Sequence, residues 1–138
     1  MPKGIYQMPF PENEPVNSYA PGSNERESLL GKYKYMYNQD PIKVPLYIGD
    51  EKIHTENQLP MNPPHDHQHV LGQYSMATAE HVNMAIDAAL AAREEWAAMP
   101  WHQRVAIFLK AADLLAGPYR DEMNAATMLC QSKNVFQA

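Results

Sequence analysis

The chain has 138 residues and 15.7 kDa, with 11 Lys plus Arg against 16 Asp plus Glu and a formal net charge of -5. This is about one domain's worth of sequence, and the acidic balance excludes a basic nucleic-acid-binding module. Hydrophobic residues are 45% and charged residues 20%, too apolar a mixture for a wholly disordered chain.

No uninterrupted apolar run exceeds five residues, as at Ala88–Ala92. Crossing a bilayer takes roughly 18 to 20, so no spanning helix is expected. Met1–Tyr19 holds Lys3 as its one basic residue and three prolines ahead of Pro15, which suits neither a secretory signal nor an Arg-rich transit helix. The expectation is a protein that stays where it is made. A single cysteine, Cys130, forbids an internal disulfide and fits a reducing cytosol.

Proline sets the layout, because ten of the twelve prolines fall within residues 1–64. Each removes a backbone donor and pushes the preceding residue toward extended geometry. Residues 1–44 therefore read as a Pro-rich arm with one short helix, 45–77 as a β-hairpin with a further extended strand, and 78–138 as helical. The segment as a whole is mostly α. The short helix is expected over about Asn24–Tyr37, capped by Ser23 or Asn24, with Glu25 and Glu27 at its positive end and Lys32 and Lys34 toward the other. Pro45–Ile48 and Glu51–His54 flank Gly49-Asp50, a hairpin signal. A second extended stretch is expected over Gln68–Tyr74, with Val70 and Tyr74 on one face and Leu71 on the other.

From Thr78 the period becomes helical. Val82, Ala85, Ile86, Ala89 and Trp96 mark a helix over about Ala79–Ala97, with Thr78 as N-cap. Val105, Phe108, Leu109, Ala112 and Leu115 mark another over Trp101–Ala116, entered at Pro100 and closed by Gly117 as a C-cap. Pro118 opens a shorter helix to about Gln131, with Met123, Ala126, Met128 and Leu129 spread over two faces. The last residues, Asn134–Ala138, begin an apolar pattern and stop without a cap, so the sequence reads as part of something longer.

Candidate chemistry is sparse. His65, His67 and His69, with Asp66 among them, would project three imidazoles from one face of an extended segment and could hold zinc or copper. Ligands at i and i+2 on one strand rarely wrap a tetrahedral ion, however, and no second ligand pair lies nearby. Cys130 could act as a thiolate if a base stood beside it, but His81 and His102 have no defined relation to it, and a lone helical cysteine is usually a packed side chain. The glycines at 4, 22, 31, 49, 72 and 117 form no phosphate cradle. Trp96, Trp101 and Phe108 suggest an aromatic corner between helices. Glu94-Glu95 and Asp121-Glu122, beside Arg93 and Arg120, read as solvated faces. No acid, base and nucleophile assemble, so no catalytic, cofactor-binding or metal residue is assigned.

The run Ala85–Ala92, with Trp96, Pro100-Trp101, Arg104 and Phe108–Leu115, resembles the N-terminal helices of aldehyde dehydrogenases. Asn13–Val16, Ser18–Ser23, Pro64–Val70, Ala125–Leu129, Gln131–Lys133 and Val135–Ala138 are more specific. Together they look like the Δ1-pyrroline-5-carboxylate dehydrogenases, over about Asn13–Ala138 but only the first quarter or so of such an enzyme.

The resemblance implies an α/β, aldehyde dehydrogenase-like fold in the complete protein, with residues 78–138 as the incomplete helical start of an NAD-binding domain. It implies NAD-dependent oxidation of L-glutamate γ-semialdehyde to glutamate in proline degradation, in the cytoplasm or the mitochondrial matrix, by a homo-oligomer when complete. In that family a cysteine thiolate attacks the aldehyde, hydride passes to the nicotinamide, and a glutamate-activated water releases the acid. Those groups would lie beyond Ala138, and Cys130 does not match the family's cysteine. No cofactor and no dehydrogenase activity are expected of these 138 residues alone. A contrasting possibility is an autonomous helical interaction module that uses the same surfaces without catalysis.

Overall fold

The computed structural model describes Phe10 and residues 12–138; the expected arm at residues 1–9 and 11 lies outside the described residues. Among the described residues, four helices and five short strands follow in order: α1 (Asn24–Asn38), β1 (Ile42–Val44), β2 (Leu46–Ile48), β3 (Glu51–Ile53), β4 (Gln58–Met61), β5 (Gly72–Ser75), α2 (Ala79–Ala98), α3 (Trp101–Ala116) and α4 (Arg120–Gln131).

The core lies between α1 and α4. Leu29 of α1 is fully buried, and it packs with Tyr19, Ala125 and Met128. Leu30, Tyr33, Met36, Val135 and Ala138 close around them. Polar groups at the rim reinforce the pairing, with the Ser28 hydroxyl donating to Asp121 and the Lys32 ammonium 3.5 Å from Glu122. The pair Asp121-Glu122 therefore faces α1 and is not simply a solvated face. Lys32 likewise serves α4 and not the C-terminal end of its own helix, whose last turn holds no basic residue.

The described part of the arm lies on this pair of helices. Glu25 accepts from the Ser18 hydroxyl and the Tyr19 amide, each at 3.2 Å, and Arg26 donates to the Tyr19 carbonyl at 3.1 Å. Tyr19 is held at φ 48, the left-handed region that a bulky residue adopts only when its surroundings demand it. Its buried ring and the amide of Asn124 donating to its hydroxyl at 3.4 Å supply that demand. Ser23 takes the N-cap position of α1 but makes no side-chain cap bond; Glu25 and Glu27 are the acidic residues of its first turn.

Three strands form one sheet in the order β1-β5-β4, with β1 parallel to β5 and β4 antiparallel to it. Gly72 sits at the crossing, opposite Ile42 on one side and Met61 on the other, where an added Cβ would meet the Ile42 carbonyl oxygen at 2.4 Å. Only a glycine fits. Neither β1 nor β4 is expected from the sequence. β1 is three residues between Pro41 and Pro45, and β4 contains Pro60, tolerated because β4 is an edge. The expected strand over Gln68–Tyr74 is confined to Gly72–Ser75, because residues 64–68 are spent on two turns.

The hairpin forms as expected, with Leu46 opposite Ile53 and Ile48 opposite Glu51 around Gly49 at φ 58. It lies on α2, where Ala85, Ala88, Ala89 and Ala92 leave room for Tyr47 and Ile48. α2 begins at a reciprocal cap. The His81 amide donates to the Thr78 hydroxyl while the Thr78 amide donates to the His81 ring at 3.1 Å, so His81 is a capping residue.

α3 starts at Trp101 with Pro100 just outside it, and α4 starts at Arg120, two residues after Pro118. Gly117 ends α3 at φ -108, outside the left-handed region, whereas the left-handed cap belongs to Ser132 at φ 54 after α4. Neither α2 nor α3 holds a buried residue. Trp96 meets Phe108 edge to face at 6.5 Å, and Trp101 instead lies against His102 at 5.9 Å.

Candidate functional site

Chemistry-bearing side chains converge at the turn over residues 62–69. Asn62 holds it shut, its amide donating to the carbonyls of His67 at 3.1 Å and His69 at 2.7 Å. The turn faces two tyrosines one helical turn apart on α1. Tyr37 lays its ring on the imidazole of His69, 3.9 Å between centroids and 6° from parallel, and donates its hydroxyl to Asp66 at 2.6 Å. Tyr33 stacks at 6.2 Å on Tyr37 and reaches the His65 ring at 3.3 Å. The other nitrogen of His65 bonds the Ser132 hydroxyl at 2.8 Å.

These bonds decide the protonation chemistry. The Tyr37 hydroxyl, followed by the backbone amides of Gln68 and His69, holds the Asp66 carboxyl below the usual carboxylate value. The same bond holds the Tyr37 phenol above its ordinary range. The three imidazoles therefore do not share one face as an extended segment would make them. His65 bridges Tyr33 to Ser132 and His69 stacks on Tyr37. Among the described residues no group of three or more His, Cys, Asp or Glu side chains is placed to hold a metal ion.

A second concavity, about 810 Å³, lies under the arm between α3 and α4, lined by Glu14, Pro15, Leu115, Arg120, Met123 and Phe136 among others. Arg120 is its cation, set among the carboxylates of Glu12, Glu14 and Asp113. It donates to the Pro15 carbonyl at 3.1 Å and stands 3.9 Å from Glu14. Cys130 is exposed on α4, not packed as a core residue.

The described helix N-termini do not have the form of a dinucleotide cradle. Such a site needs a glycine-rich turn feeding open amides at a helix N-terminus. Here the amides of α2 are closed by Thr78 and His81, and α3 opens behind Pro100. The residue before α4 is Tyr119, and the nearest glycine, Gly117, lies against the Asp113 carbonyl.

The pattern of helices and hairpin has known counterparts. A model of the aldehyde dehydrogenase family matches residues 52–138. The chain belongs to the aldehyde dehydrogenase family. It is 44% identical over 133 residues to a Δ1-pyrroline-5-carboxylate dehydrogenase of Agaricus bisporus, a match covering 96% of this chain and 24% of that protein. It is 41% identical over 126 residues to the human mitochondrial enzyme of the same name, covering 91% of this chain and 22% of the other. The crystal structure of the Mycobacterium tuberculosis Δ1-pyrroline-5-carboxylate dehydrogenase bound with NAD superposes with a TM-score of 0.85 at 42% identity, over 91% of this chain and 24% of that one. The chain thus spans about a quarter of the length of the aldehyde dehydrogenases it matches. No described helix is long and apolar enough to cross a membrane.

The sequence points to the Pro64–Val70 segment, but the partners Tyr33, Tyr37 and Ser132 are missing from that reading. The i, i+4 spacing of the two tyrosines was the available signal. Nothing local announces Ser132, which lies 67 residues from His65.

Proposed function

We propose that this chain is the N-terminal segment of an NAD-dependent dehydrogenase that oxidises L-glutamate γ-semialdehyde, the open form of Δ1-pyrroline-5-carboxylate, to glutamate in proline degradation. The 44% identity with the Agaricus bisporus enzyme over 133 residues carries this reading. On it, residues 1–44 are an arm with one helix, 45–77 the hairpin and extended region, and 78–138 the helical start of the NAD-binding domain. The cofactor cradle, thiolate and glutamate belong to the rest of such an enzyme. The small-molecule substrate, the homo-oligomeric state and a cytoplasmic or mitochondrial-matrix location are likewise properties of the whole protein. The role of these residues is architectural: α2 and α3 present apolar stripes, including Val82, Ile86, Leu90 and Phe108, that are exposed here and suit a covering layer.

Exchange of the matching first quarter of the Agaricus bisporus enzyme for this chain tests the reading. NADH formation from glutamate semialdehyde is expected from the chimera and not from the 138-residue chain alone. A folded, NAD-binding chimera without turnover would count against the assignment, as would turnover by the isolated chain.

A further inference from the structure

The turn over residues 62–69 touches both α1 and the far end of α4, two helices that already share the core. The contacts run in one line. Tyr37 is joined to Asp66 and His69, Tyr33 to His65, and His65 to Ser132. Ser132 is the left-handed residue at which the chain turns out of α4. Beyond it the chain folds back, and Val135 and Ala138 return to the core beside Leu29 and Tyr19. The return is held by bonds from the Asn134 amide to the Gln137 side chain, from the Phe136 amide to the Asn134 side chain, and from the amides of Gln137 and Ala138 to the Asn134 carbonyl.

A left-handed serine is strained relative to a glycine and persists only where its side chain or surroundings hold it. Here the described contact on its hydroxyl comes from His65, at 2.8 Å. We propose that the 62–69 turn is a strap, anchored on α1 by Tyr33 and Tyr37, that holds the left-handed exit of α4 through His65 and so fixes the C-terminal return of residues 133–138 onto the core. It does not rest on the dehydrogenase reading.

His65 suits this role in either protonation state. The neutral ring has one donor and one acceptor, and each hydroxyl it meets can take the complementary part. A protonated ring donates twice, and both hydroxyl oxygens accept. The strap is therefore mechanical and not a histidine switch.

Hydrogen exchange of the amides of Asn134, Phe136, Gln137 and Ala138, resolved by NMR on the 138-residue chain, tests the strap. His65→Ala is expected to speed their exchange by about fivefold to tenfold, through loss of its hydrogen bond to Ser132, while His67→Ala leaves them unchanged. Ser132→Ala should act to a similar extent, and the double variant should exceed neither single by more than about twofold, because both remove the same His65–Ser132 bond. Tyr37→Phe, which has no contact with Ser132, should speed the same amides by a smaller factor through the loosened turn. Unchanged exchange in His65→Ala would overturn the strap. So would a Tyr37→Phe effect confined to α1 and the turn, or free-peptide exchange of residues 133–138 in the unsubstituted chain.

Discussion

Two pairs of helices in one chain behave oppositely. α1 and α4 enclose the core with Leu29, Ala125, Met128 and Leu129 buried, whereas α2 and α3, the longest helices, bury no residue at all. Their apolar stripes remain open to solvent, and the hairpin approaches α2 closely only at Ala88, beside Gly49. Helical periodicity reports which face a helix would bury; it says nothing about whether the covering layer lies within the same stretch of chain. A helix can be strongly formed by caps and propensity while its packing partner is elsewhere.

The largest effects should separate the two pairs. Leu29→Ala is expected to lose about 2–5 kcal/mol by cavity formation, and Leu90→Ala, 57% exposed on α2, less than about 0.5 kcal/mol. Urea unfolding of both variants gives the comparison, and equal losses would break it. Gly72→Ala, which drives a methyl into the Ile42 carbonyl, should cost about 1–3 kcal/mol in the same assay.

Thr78→Ala removes the reciprocal cap and should lower the stability of α2 by about 1 kcal/mol, read as lost helicity by circular dichroism. It sharpens the contrast, because α2 depends on such local terms more than α4 does. Ile86→Glu with Phe108→Glu should leave the unfolding midpoint nearly unchanged while reducing self-association in sedimentation velocity. A large loss of stability would mean that these stripes are packed after all.

The smallest effect concerns pH at the edge of the α1 region. Asp66 has a lowered folded-state value, so its contribution is present above the ordinary carboxylate value of 3.8 and fades as pH falls through the lowered one. Tyr37 is raised, so the same bond is lost again as pH climbs past 10.0 through the raised value. Both groups are only partly buried at the edge of the fold, which keeps the effect slight. Asp66→Asn should flatten the acid limb of a stability-versus-pH curve without shifting the neutral midpoint much.

Most elements were legible because their signals are local. Thr78, the i+3 and i+4 apolar spacing and Gly49-Asp50 place α2, α3 and the hairpin close to where they lie. β1 and β4 were not legible, because β1 pairs in parallel with a strand 30 residues away and its own three residues carry no period. The histidine segment was misread as extended for a related reason. Its conformation is imposed by Asn62, by two tyrosines on α1 and by a serine past α4. Arg120 and the pair Asp121-Glu122 look like surface charges until the arm and α1 are brought against them. The family resemblance was carried by the helical motifs, which survive in any segment that contains them.

The two tryptophans offer the most direct test, since Trp96 and Trp101 lie at the junction of α2 and α3 and are 40% and 53% exposed. Acrylamide quenching of tryptophan fluorescence, measured on the dilute monomeric chain, should give a constant approaching that of a free indole side chain. Quenching several-fold weaker, with both rings shielded in the monomer, would show that the second pair of helices is already covered and would contradict the account.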